Sequence, residues 1–326
     1  MGTVNNGFMG NKEEVKIYIA GHNGMVGSSC YRLLMEAGYP HLLIKTSNEL
    51  DLRNQTDVDE FFKHYRPNVV IDAAARVGGI LANEEHPYTF LMENMQIQNN
   101  LIAASLKYNV RKFVFLGSSC IYPKMASQPI KEEYLLTDAL EPTNEWYAIA
   151  KISGVKACEA IRKQFGRDFV SLMPANLYGP NDNFDLYSSH VLPAMIRKFH
   201  EAKLAGHTRV TLWGDGSPLR EFLHVDDLSR AVLFALEHQL PEHLYNVGYG
   251  TDITILKLAE TVQHIVGHKG PVSWDGTKPN GTPKKIMDST KLMVSGWKPI
   301  IGLQEGIKTT YKWFLEHQEN YKKVKL

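Results

Sequence analysis

Two short stretches carry residue types that could move protons. GSSCIYP, residues 117–123, follows the strand-like run KFVFL and sets the hydroxyls of Ser118 and Ser119 beside the thiol of Cys120. A tight turn uses hydroxyls but does not need a thiol. WYAIAK places Tyr147 and Lys151 four residues apart, on one face of a helix. A lysine ammonium there would lower a phenol from its reference of about 10. Tyr147 could then exchange a proton with a carbonyl or alcohol oxygen near neutral pH. A Tyr-x-x-x-Lys pair is common by chance, so its weight depends on Ser118 upstream and on a third stretch near the start of the chain.

That stretch is GHNGMVG, residues 21–27, lying between the apolar run VKIYIAG and the helical pattern MVGSSCYRLLMEAG. Gly21 and Gly24 let the chain turn and bring backbone N–H groups close to a pyrophosphate. Gly27 lets the helix pack on the sheet, and the helix N-terminus adds partial positive charge. In a strand–turn–helix this spacing reads as dinucleotide binding rather than a plain turn. An NAD site usually ends its second strand on an acid that accepts from the ribose 2′-OH. Here that strand ends in Lys45, Thr46 and Ser47, which suit a 2′-phosphate and favour NADP, although Lys45 could equally be a solvated surface lysine. Asp51 lies too far along to be the ribose acid and could hold the adenine.

These residues need elements to hold them. Strand-like runs at 15–21, 41–46, 68–75 and KFVFLGSS alternate with helical patterns, including long helices at 91–109 and 144–166. The run 168–180 starts as a strand and breaks into a loop. The alternation predicts an α/β fold: a Rossmann-type, doubly wound parallel sheet with helices on both faces. Beyond residue 180 the pattern loosens, as expected of a smaller C-terminal α/β lobe that builds a substrate pocket. The expected organisation is a mobile tail over 1–14, a dinucleotide-binding domain over 15–180 to which 221–249 returns, and a substrate lobe over 181–220 and 250–326.

Composition narrows the classes. The 326 residues are 44% hydrophobic, enough for a substantial core. With 36 basic and 35 acidic residues, nothing points to a nucleic-acid or membrane partner. Cys30, Cys120 and Cys158 have no metal-ligand spacing, so no metal is expected, and their odd number fits a reducing, cytoplasmic setting. No apolar run approaches the roughly 20 residues that span a bilayer. Cys30 and Cys158 fall inside helices and read as structural, and Ser119 as turn chemistry.

Together, the glycine turn, Ser118 and the Tyr147–Lys151 pair resemble the extended short-chain dehydrogenase/reductase family. In that family a Ser/Thr, Tyr and Lys trio works on the C4 oxygen of a nucleotide sugar. Within it, GSSCIYPK, LEPTNEWYAIAK, PANLYGPNDNF, SSHVLPAMIRKFHEA and REFLHVDD are similar to the GDP-4-keto-6-deoxymannose 3,5-epimerase-4-reductases, from about residue 15 to 320. The resemblance implies NADPH-dependent formation of GDP-L-fucose, with Cys120 as base and His190 as acid for epimerisation at C3 and C5. Ser118, Tyr147 and Lys151 would serve O4 and the nicotinamide ribose.

The resemblance also implies that Gly21, Asn23, Gly24, Met25, Val26, Gly27, Lys45, Asp51, Leu52, Leu116, Lys151, Pro174, Asn176, Leu177 and His190 line the NADP(H) site. Ser118, Asn176, Lys198, Trp213, Arg220 and Asn280 would touch the GDP-sugar. Two long helices would pair with a second copy in a homodimer. Asn23 and Ser47 stand where bacterial members carry arginines, and Asn280 where they carry an aspartate. Two rivals stay open: the same fold acting on another GDP-4-keto sugar of the 3,6-dideoxy or heptose type, with or without epimerisation, and a non-catalytic NADP-binding regulator. The intact Tyr147 and Lys151 weigh against the regulator.

Overall fold

The structure is a computed structural model that describes residues 10–206, 209–278 and 280–318. Up to Pro174 strands and helices alternate: β1 (Ile17–Ala20), α1 (Met25–Glu36), β2 (Leu42–Leu43), α2 (Gln55–Tyr65), β3 (Val69–Asp72), α3 (Ile80–Glu85), α4 (Pro87–Lys107), β4 (Lys112–Leu116), α5 (Glu145–Phe165) and β5 (Asp168–Pro174). There follow β6 (Asn176–Tyr178), α6 (Val191–Leu204), β7 (Val210–Trp213), β8 (Leu219–His224), α7 (Val225–Glu237) and β9 (Leu244–Val247). The last elements are β10 (Asp252–Thr254), α8 (Ile255–Val266), β11 (Val272–Asp275), β12 (Lys284–Lys285), α9 (Thr290–Val294) and α10 (Leu303–Glu316).

β1, β3, β4 and β9 are buried along their whole length, the mark of strands covered on both faces. They join β2 and β5 in a parallel sheet of order β2-β1-β3-β4-β5-β9. Helix ends follow local chemistry. Asn54 caps α2 by accepting from the N–H groups of Thr56 and Asp57, and α5 stops at Gly166, whose φ of 63° suits glycine. The strand order reverses between β1 and β3, and ligands of such sheets bind beyond the strand C-termini at that point. The turns after β1, β4 and β5, carrying Gly21, Ser118 and Asn176, therefore share one rim.

The second lobe is built around β8, which runs antiparallel to β10 and parallel to β6 and β12. β7 and β11 form a separate parallel pair. Phe184, Phe199, Phe222, Ile307 and Phe314 are among the residues of its own core.

Three features differ from the sequence reading. After Pro174 the chain does not dissolve into a loop, because Asn176–Tyr178 pairs in parallel with Phe222–His224. Main-chain groups leaving one sheet thus find partners on the next. Met287, Leu292 and Trp297, expected in the substrate lobe, pack into the main core. The end of the expected tail is tied down: Lys12 lies 2.7 Å from Glu237 and donates to the Ala37 carbonyl at 3.0 Å. Residues 1–9 of that tail lie outside the described residues.

Candidate active site

The glycine turn has the shape of a phosphate cradle. Gly21 has a φ of 76°, and a Cβ there would come within 2.6 Å of the Ala73 carbonyl oxygen. A Cβ on Gly27 would collide with the Gly21 carbonyl. Gly24 caps α1 and supplies no side-chain hydrogen bond to the first-turn N–H groups. These features fit a dinucleotide pyrophosphate. Asn181, which the sequence reading did not single out, straps the turn from the other lobe by donating to Asn23 O at 3.1 Å and Ser28 Oγ at 3.0 Å.

An acid lies in the turn beyond the second strand. Glu49 folds back to accept from the Thr46 N–H at 2.8 Å and hydroxyl at 2.7 Å, and lies 3.5 Å from Lys45 Nζ. Those Thr46 bonds hold the Glu49 carboxyl below its usual range. Lys45, expected to meet a 2′-phosphate or to be a solvated surface lysine, shares its charge with Glu49. Asp51, considered for the adenine, is gripped by Arg53 at 2.8–3.2 Å. Leu52 is half-buried and its carbonyl accepts from Asn100.

The turn after β4 brings four of the expected reactive residues together. Ser118 is extended and accepts from the Cys120 N–H at 3.3 Å, which starts a single tight helical turn over Ser119–Ile121. Gln98 on α4 donates to the Ala150 carbonyl at 2.6 Å and so fixes α5. Gly154 lets α5 approach Phe115, since a Cβ there would meet the ring. Lys151 is consequently buried. Its Nζ donates to the Leu116 carbonyl at 2.9 Å, lies 4.8 Å over the Phe115 ring and 5.9 Å from the Tyr147 ring centre. Burial lowers the Lys151 ammonium, and Asp72 and Cys120 pull it back up.

One expectation fails. Tyr147 is pushed well above its ordinary value by burial, with Cys120 and Asp72 adding to the rise. Lys151 reaches the strand carbonyl instead of the phenol oxygen, so Tyr147 stays protonated and suits donation more than acceptance. Burial also raises Cys120, while Lys285, Ser118 and Lys151 oppose the rise. His190 caps α6 and makes no hydrogen bond to the other four. His190 is exposed as a residue, and desolvation by the protein around it lowers its pKa. Cys30 and Cys158 are fully buried within α1 and α5.

The expected substrate contacts lie on the second lobe and its junction with the sheet. Pro174 ends β5, and Leu177 pairs with Leu223. Asn176 donates to the Glu221 carbonyl at 2.8 Å, which ties the start of β6 to β8. Lys198 donates to Thr211 O at 3.3 Å and sits 5.9 Å from the exposed Trp213 ring. Asn280 accepts from the Asp215 N–H at 3.0 Å.

Arg220 pairs in register with Lys285, a residue sequence reasoning missed. Both are half-buried, and among the described residues neither they nor Lys198 forms an ion pair with a carboxylate. Adjacent cations with no carboxylate in ion-pair contact suit a diphosphate, although the Glu141 charge is felt at Lys285. The only sequence signal for Lys285 is the KK of GTPKK, residues 281–285. Among the described residues no group of acids, histidines and cysteines could hold a metal.

Comparison with known proteins agrees with this geometry. The family described as "NAD dependent epimerase/dehydratase family" matches residues 17–248. "GDP-L-fucose synthase 1" of Arabidopsis thaliana is 54% identical, covering 94% of this chain and 94% of its own. A solved GDP-L-fucose synthetase from Naegleria fowleri bound to NADP is 27% identical, with a TM-score of 0.89 over 98% of each chain. A GDP-D-glycero-L-gluco-heptose synthase from Campylobacter jejuni, solved in the presence of NADPH, is 36% identical, with a TM-score of 0.87 over 94% of this chain and 99% of its own. With the dinucleotide cradle, the Ser–Tyr–Lys cluster and these matches together, the chain belongs to the NAD dependent epimerase/dehydratase family, in its nucleotide-sugar branch.

Proposed function

We propose that this protein converts GDP-4-keto-6-deoxy-D-mannose to GDP-L-fucose, by epimerisation at C3 and C5 followed by reduction at C4. The observation that carries the reading is Cys120 in the same turn as Ser118, beside Tyr147 and Lys151, in a chain 54% identical to a GDP-L-fucose synthase. The C4 ketone acidifies the C–H bonds at C3 and C5. Cys120 and His190 come from different elements and serve as the two proton-transfer groups, one removing a proton and the other returning one to the opposite face. The enolate charge collects on O4, where Ser118 and Tyr147 donate hydrogen bonds. Tyr147, held protonated by its surroundings, then supplies the proton that completes the C4 alcohol.

NADPH, when bound, supplies the hydride. Gly21, Gly24 and Gly27 would take its pyrophosphate, Lys45 its 2′-phosphate, and Lys151 its nicotinamide ribose. Asn23, Asp51, Leu52, Leu116, Pro174, Asn176 and Leu177 would line the same groove. Lys198, Arg220 and Lys285 would take the GDP phosphates, with Trp213 and Asn280 at the nucleotide end. We further read α4 and α5 as the interface of a homodimer, and the cytoplasm as its setting. Among the described residues no helix is long and apolar enough to cross a membrane.

The test is turnover of GDP-4-keto-6-deoxymannose with NADPH in D₂O. NADPH consumption with two solvent deuteriums in the product, at C3 and C5, is expected. Reduction with one deuterium or none would replace this reading by a C4-reductase. The second reading is a GDP-4-keto sugar of the heptose type. It is favoured by the likeness to the heptose synthase, 36% identical over 94% of this chain. Faster turnover of such a sugar would select it.

A further inference from the structure

Asp72 is a buried acid that the proposed chemistry leaves unused. It ends β3, is 1% exposed, and pairs in register with Ala20 on one side and Phe115 on the other. One carboxyl oxygen accepts from the Ala74 N–H at 3.3 Å. The other is buried with no hydrogen-bond partner. A carboxylate so placed is costly unless a cation compensates it.

The compensating cation comes from α5. Neighbouring strands lie about 4.8 Å apart, so Asp72 sits beside Phe115, and the Lys151 ammonium lies 4.8 Å over that same ring. Carboxyl and ammonium thus flank one aromatic side chain without touching. The titratable groups that act on Asp72 or feel its charge are Tyr18 from β1 and Tyr147, Lys151 and Cys158 from α5, and Cys120 acts in turn on Tyr147 and Lys151. Lys151 is the only cation among them.

We propose that Asp72 is a positioning residue for the reductive site: its carboxylate is the counter-charge that keeps Lys151 an ammonium, seated on the Leu116 carbonyl at the strand end. The inference rests on the reading of Lys151 and Tyr147 as the reducing pair. Burial pushes Asp72 up to about 6 and lowers Lys151, so each depends on the other to stay charged. The arrangement separates Lys151 from the phenol oxygen and explains why the lysine is held by the strand rather than by Tyr147.

The test uses the full chain and has an arm that does not need turnover. Carbon-13 NMR of labelled aspartate carboxyls, with Asp72→Asn to assign the signal, should show Asp72 titrating above the ordinary carboxylate range. Lys151→Met should move that midpoint further up by about one pH unit, the effect of removing a nearby opposite charge. In turnover, Asp72→Asn should shift the alkaline limb of the reduction profile to lower pH by a similar amount, with the KM for NADPH little changed. Asp72→Leu should do the same.

An Asp72 midpoint that Lys151→Met leaves in place would overturn the proposal. So would an unshifted alkaline limb in a folded Asp72 variant. A protein that turns over no GDP-4-keto sugar would sink the functional reading instead, and the NMR arm would still decide the coupling.

Discussion

Cys120 must lose its proton before it can act as a base, and its surroundings resist that. Burial holds the thiol above its ordinary value, and Lys285 is the largest of the groups that pull it down. The sign follows directly. A raised thiol is mostly protonated near pH 7, so its thiolate fraction, and base catalysis with it, grows with pH until the raised pKa is passed. Solvent deuterium incorporation at C3 and C5 should therefore climb between pH 6 and 8. Lys285→Met should move that climb to higher pH. Cys120→Ser should cut incorporation by about 100-fold or more, the usual worth of a positioned acid–base group. Wild-type incorporation in Cys120→Ser would remove the thiol from the mechanism. Tyr147 presents the opposite case, since the same burial that hinders a base preserves an acid.

The end of β2 shows how an element's own turn can adjust specificity. Glu49 closes on Thr46 and Lys45, so a 2′-phosphate arriving at Lys45 meets a carboxylate. Exposed pairs of this kind are weak, and the phosphate has only to displace a surface contact. Glu49→Gln should tighten NADPH several-fold and leave NADH nearly unchanged, read by fluorescence titration of both nucleotides. Equal gains for the two would mean that Lys45 does not meet the phosphate. Gly21 and Gly27 illustrate a firmer local demand, because both approach backbone so closely that no Cβ fits.

At the scale of the whole molecule, Glu221 joins the two lobes. It is fully buried on β8, and its carboxylate accepts from the Gly250 N–H at 2.6 Å and the Met287 N–H at 2.9 Å. Those contacts hold the segment that follows β9 and the one that follows β12 against the strand carrying Arg220. Glu221→Ala would orphan these donors, each costing about 1–3 kcal/mol. A stability loss of about 3 kcal/mol or more is expected by urea unfolding. The KM for the GDP-sugar should rise because Lys285 loses its register with Arg220, while NADPH affinity holds. A variant with ordinary stability and substrate KM would show that the staple is dispensable.

What the sequence determined by itself was local. The spacing of Gly21, Gly24 and Gly27, the Tyr147–Lys151 pair on one helix face, and the alternation of strands with helices all lie within a few turns of chain. Backbone sterics and helical period alone make them legible. The parallel sheet followed from that alternation because each crossover helix must cover it.

The tertiary structure decided everything that depends on register between distant segments. Lys285 stands beside Arg220 only because β12 pairs with β8. Asn181 reaches the phosphate turn only because the second lobe folds back over the first. Asp72 becomes a partner of Lys151 only because β3 lies next to β4 beneath α5. Lys151 itself turns from the phenol to a carbonyl for the same reason: burial makes a charged group seek the nearest acceptor, and sequence spacing does not say which acceptor that is.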